Sequence, residues 1–128
     1  MVRLERDAVS RVPAVLVYDT AAQPLRAGVR AVTQRARRLL FMSEDTELML
    51  QLAPTQIPTR LKLVGQVLDF GEPVIGAAVE LRGPTGAIAQ ATDDDGHFSI
   101  DELPKGAYNI AVIAARHQSL SVLDLALD

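Results

Sequence analysis

The sequence predicts an all-β protein: an antiparallel β-sandwich of two facing sheets with a β extension on its N-terminal side. Three observations predict it. After residue 60, alternating apolar and polar residues recur in runs every ten or so positions, the period-2 pattern of half-buried strands. Clusters of Gly, Pro and Asp separate those runs, as tight turns require. No helical run intervenes, so no crossover can join parallel neighbours, and antiparallel pairing follows.

Residues 1–37 read as an irregular N-terminal segment. Val15–Tyr18 could form a short strand that Asp19-Thr20 ends, and Ala21–Arg38 mixes Pro24, Gly28 and several Arg without clean periodicity. The sandwich domain is expected over 38–128. Its first part, 38–53, reads as a hairpin: an apolar run Leu39–Met42, a turn near Glu44-Asp45, then alternation through Leu52. Leu48, Leu50 and Leu52 share one face of that second arm, and Glu47, Met49 and Gln51 share the other. A continuous helix through Leu39–Leu50 also fits the run. As a hairpin, the segment would pack onto the sandwich and extend a sheet. Pro54 and Pro58 mark a link.

The core of the domain is expected over 61–127. Leu61, Leu63, Gly65 and Val67 alternate with Lys62, Val64, Gln66 and Leu68, and Gly71 with Pro73 turns the chain. Ala77, Val79 and Leu81 form a buried face opposite Ala78, Glu80 and Arg82. Gly83–Gly86 makes a turn into Ala87–Thr92, and Asp93-Asp94-Asp95-Gly96 makes a sharper one, where Gly96 accepts positive φ and Asp side chains bond nearby amides. Phe98 and Ile100, then Tyr108, Ile110 and Val112, line the next two strands. In the last, Ser119–Leu127, the apolar parity shifts between Val122 and Leu123, which predicts a bulge or bend.

Three of these stretches carry a resemblance. Gly65-Gln66-Val67 followed by Pro73–Leu81, then Thr92-Asp93-Asp94-Asp95-Gly96-His97-Phe98, then Leu103-Pro104-Lys105-Gly106-Ala107-Tyr108 with Ile110 and Val112, stand in a fixed order. In that order they resemble the carboxypeptidase regulatory-like domain, a transthyretin-like, Ig-like sandwich. The resemblance covers about half the chain. It implies an accessory or interaction module without catalytic machinery.

Composition narrows the function classes. The chain has 128 residues, enough for one domain with its own core. It has no cysteine, which excludes disulfides, thiolate zinc sites and cysteine nucleophiles. No apolar run reaches the ~18–20 residues of a membrane span. The N-terminus lacks the long apolar core of a signal peptide, so the expected location is the cytoplasm. Net charge is −3. Residues 1–60 hold nine Arg and six acidic residues, +3, while 61–128 hold four basic and ten acidic ones, −6.

Few residues invite chemistry. Asp93, Asp95 and Glu102 partly echo a calcium loop, but Ala91 stands where its first carboxylate belongs and no helices flank it. The bland reading is a solvated turn. His97 and His117 are the two histidines, too few for a clustered zinc or base-partnered site. Arg35, Arg37 and Arg38 make a basic stretch, yet three Phe, two Tyr and no Trp give little for base stacking. Nucleic acid is therefore not expected, nor any cofactor. The leading expectation is a non-enzymatic protein-interaction or accessory module that binds another protein or domain through sheet edges or an exposed face. Arg35, Arg37, Arg38, Leu120, Val122, Leu123 and Leu125 are its expected contacts. The alternative is a ligand- or calcium-binding accessory domain with its site at the Asp93–Glu102 hairpin.

Overall fold

A computed structural model describes residues 11–20, 36–114 and 119–128. Expectations at Pro24, Gly28, Arg35 and His117 lie outside the described residues. Eleven strands are described: β1 Arg11–Pro13, β2 Val15–Asp19, β3 Arg37–Ser43, β4 Thr46–Pro54, β5 Arg60–Asp69, β6 Glu72–Pro73, β7 Ala78–Gly83, β8 Gly86–Ala91, β9 His97–Pro104, β10 Gly106–Ile113 and β11 Ser119–Leu127. They form two sheets, an all-β sandwich. Sheet A runs β1-β11-β10-β7-β8; sheet B runs β2-β3-β4-β5, with β6 and β9 sharing the far side of β5.

Pairing is antiparallel except where β1 lies parallel to β11, Arg11 beside Ser119. Sequence reasoning expected antiparallel pairs throughout and placed one short strand before residue 37. Among the described residues two strands lie there, in different sheets, because the chain passes from sheet A to sheet B at Ala14. The Ala14 amide donates to the Ser121 carbonyl at 2.9 Å.

The helix alternative for Leu39–Leu50 gives way to the hairpin. β3 and β4 pair from Arg37↔Leu52 to Ser43↔Thr46 around Glu44-Asp45, with Glu44 at φ 55°. Strand β4 then pairs with β5 along its length. Leu39, Leu48 and Leu50 are fully buried, each contributing roughly 1.5–3 kcal/mol. The hairpin is thus part of the core.

The residues that carry the resemblance act as folding determinants. Gly96, at φ 75°, sits where a Cβ would meet the Val67 carbonyl oxygen at 2.5 Å. The Phe98 ring lies under Gly65, and the Tyr108 ring lies against Gly83. Side chains at either glycine would collide with those rings. The Tyr108 hydroxyl donates to the Pro104 carbonyl at 2.6 Å, the arrangement of a tyrosine corner. Buried Thr92 donates to the Val74 carbonyl and accepts from the Ala77 amide, pinning the turn before β7.

Three bulges re-aim side chains. In β2 the register shifts between Leu16 and Tyr18. In β9 it shifts between Ile100 and Leu103, with Glu102 at φ 54°. In β11 it shifts between Val122 and Leu125, where Asp124 has φ 55° and its amide donates to Asn109 Oδ1.

Candidate functional site

Side chains alternate across sheet B, so its inner face takes Leu39, Phe41, Leu48, Leu50, Leu63 and Phe98 into the core. The opposite parity faces outward. Register places Tyr18, Leu40, Met49, Gln66 and His97 in one row, and Arg38, Gln51, Val64 and Ser99 in the next. Two of these residues are apolar and open to solvent: Met49 is 37% exposed and Val64 36%. Edge strand β2 carries exposed Val15, Leu16 and Val17, with Val15 beside Met42 and Leu16 beside inward-facing Phe41. A groove of about 230 Å³ lies here, with Met49 and Val64 as apolar lining and Tyr18, Arg38, Gln51, Gln66 and His97 as polar lining.

The β2 bulge decides what reaches this groove. Tyr18 lies beside outward-facing Leu40, and Asp19 beside inward-facing Leu39. Inside, Asp19 meets Arg37 in a two-pronged ion pair, with Nη2 at 2.7 Å from Oδ2 and Nε at 3.0 Å from Oδ1. Arg37 Nη1 donates to the Ala126 carbonyl at 2.8 Å and approaches Asp128 at 3.3 Å. Its pKa is raised, chiefly by the hydrogen bond to Asp19. Arg37 is therefore a tie between the sheets, a correction to its expected role as a free contact. Arg38, one residue on, points to solvent and lines the groove. Its backbone amide donates to Thr20 Oγ1, and its guanidinium has no acceptor among the described residues.

The other expected contacts divide. Leu120 and Val122 are buried in the core, so neither is a surface residue, because register sets them beside inward-facing Val112 and Ile110 of β10. Leu125 is partly buried against the same core. Leu123, in the bulge, is exposed.

The acidic turn is also rearranged. Ligand atoms of Asp93, Asp95 and His97 lie within 4.8 Å of one another, and all three residues are exposed. Glu102 does not join them. It lies five residues beyond His97 along extended β9, which at ~3.3 Å per residue carries it ~16 Å away. Asp93 Oδ1 accepts from the Asp95 and His97 amides, both at 2.9 Å, and these bonds, His97's first, lower its pKa. That is the work of a turn residue.

Sequence reasoning did not select Tyr18, Met49, Gln51, Val64, Gln66 or His97 as contacts. A signal was there: Met49 shares parity with Glu47 and Gln51, and Val64 with Lys62 and Gln66. Comparison with protein-family models, curated proteins and solved structures returned no match.

Proposed function

We propose that the protein is a non-enzymatic interaction module that binds another protein through the outer face of sheet B. The observation that carries this reading is the pair of exposed apolar residues Met49 and Val64, in neighbouring rows of that face around one groove. Residues of this kind on one surface favour contact with a partner. The resemblance of 61–127 to carboxypeptidase regulatory-like domains supports the same accessory role.

The test compares cross-linked partners captured from the native host by three full-length proteins. These are wild type, Met49→Lys with Val64→Lys, and the control Ala89→Lys on sheet A. A partner held by wild type and control and lost by the double variant supports the proposal. Equal capture by all three removes this face from the account.

A second reading has one observation in its favour, the Asp93, Asp95 and His97 cluster. An imidazole among two carboxylates suits zinc or manganese better than calcium. Added zinc would then raise the melting temperature, and an Asp95→Ala, His97→Ala double variant would lose that rise.

A further inference from the structure

The groove on sheet B is small for a free ligand. At about 230 Å³ it falls below the ~300–1,000 Å³ usual for small-molecule sites, and it is the size for one or two side chains of a docked chain. Its centre is apolar, through Met49 and Val64, and its polar lining is Tyr18, Arg38, Gln51, Gln66 and His97. Gln66 Nε2 already donates to the Asp95 carbonyl, and carboxylates of Asp93 and Asp95 stand within 4.8 Å of the His97 ring, so Arg38, at the other end, is the cationic side of the groove. The arginines sharpen the point. Arg37 holds Asp19, Arg82 holds Glu80 at 2.8 Å, and Arg60 donates to the Glu102 carbonyl at 3.1 Å. Arg38 holds no acceptor among the described residues, although its planar fork is built for two parallel bonds to a carboxylate. A charge left without a counter-ion beside an apolar groove lacks the anion that would complete it.

We propose that the partner segment docked on this face is an acidic one, an extended stretch carrying Glu or Asp beside an apolar residue, and that Arg38 selects it. This rests on the reading of the outer face of sheet B as the interaction surface. Spacing follows from register. Arg38, Gln51 and Val64 stand in one row across β3, β4 and β5, so Arg38 and Val64 are two strand spacings apart, ~9–10 Å. A segment crossing the strands would set its acid over Arg38 and an apolar residue two or three positions away over Val64.

The test uses three synthetic peptides with one Ser/Thr/Val frame, differing only in a central Glu, Gln or Lys. Each is titrated into the full chain, wild type and Arg38→Gln, while the amide signals of Met49, Val64 and His97 are followed by NMR. The Glu peptide is expected to bind wild type about tenfold more tightly than the Gln peptide, with Lys weakest. Raising salt from about 0.05 to about 0.5 M should erode that preference, and Arg38→Gln should abolish it. A Glu preference that survives Arg38→Gln overturns the assignment to Arg38. Equal binding of Glu and Gln peptides, with shifts at the three residues, overturns the acidic partner and leaves the interaction face standing. No shift at those residues with any peptide at millimolar concentration overturns both.

Discussion

The two outer faces of the sandwich have the same structural task and different chemistry. On sheet A, Ser121, Ala111, Glu80 and Ala89 form one row, and Asn109, Arg82 and Ala87 the next. Those residues are small or polar, and the two charges satisfy each other across 2.8 Å; Ile113, in the row beyond, is the large apolar residue of this face and is as exposed as Met49. On sheet B the corresponding rows hold Leu40, Met49, Val64 and Arg38, with the charge unmatched among the described residues. Sheet A shows what this fold needs on a solvent face, which is very little. What sets sheet B apart is that Met49 and Val64 stand in neighbouring rows with Arg38, the difference on which the proposed interaction face rests.

If that comparison is right, stability should depend on what lies between the sheets and hardly at all on either outer face. The largest effect is expected at the tie. Arg37→Ala removes both bonds to Asp19 and the bond to the Ala126 carbonyl and should cost about 2 kcal/mol in urea unfolding, since the pair is only partly buried. Arg37→Lys should recover little of it, because an ammonium cannot make the two-pronged contact. The neighbouring Arg38→Ala, and Met49→Lys with it, should stay within about 0.5 kcal/mol of wild type. A loss at Arg38 as large as at Arg37 would make the sheet B face structural and end the comparison. On sheet A, Glu80→Gln should cost at most about 0.5 kcal/mol, and salt should mask it.

The smallest effect concerns pH at the turn beside the groove. Asp93 has a lowered pKa in the folded protein, so the unfolded chain binds its proton more readily. Its contribution is present above the ordinary aspartate value near 4 and fades as pH falls through the lowered one. Melting temperatures of wild type and Asp93→Asn should therefore converge between about pH 5 and about pH 2. A gap that stays constant across that range would show that the carboxylate charge contributes nothing to the turn.

Much of the architecture was legible because strand parity and turn chemistry are local. Phe98, Tyr108, Gly96 and the Leu48–Leu50–Leu52 face stand where alternation placed them, and the parity break after Val122 announced the bulge that Asn109 holds. The site was less legible. Arg37 and Arg38 look alike in a row of basic residues, and only a partner 18 positions away separates them. Leu120 and Val122 look like surface because their strand is apolar on both parities, and only their register against inward-facing Val112 and Ile110 makes them core.

By itself, the sequence determined the two-sheet class, the turn at Gly96, the buried faces of β7 and β9 and the lack of cysteine chemistry, since each depends on neighbours a few residues apart; the hairpin at Glu44-Asp45 stood beside the helix alternative until pairing with β5 decided it. Only the tertiary structure decided which strands share an outer face, that Arg37 ties the sheets while Arg38 is left to solvent, and that Tyr18, Met49, Val64 and His97 meet around one groove. Those facts depend on pairing between residues far apart in the chain, and on a bulge in β2 that shifts the pairing by one residue.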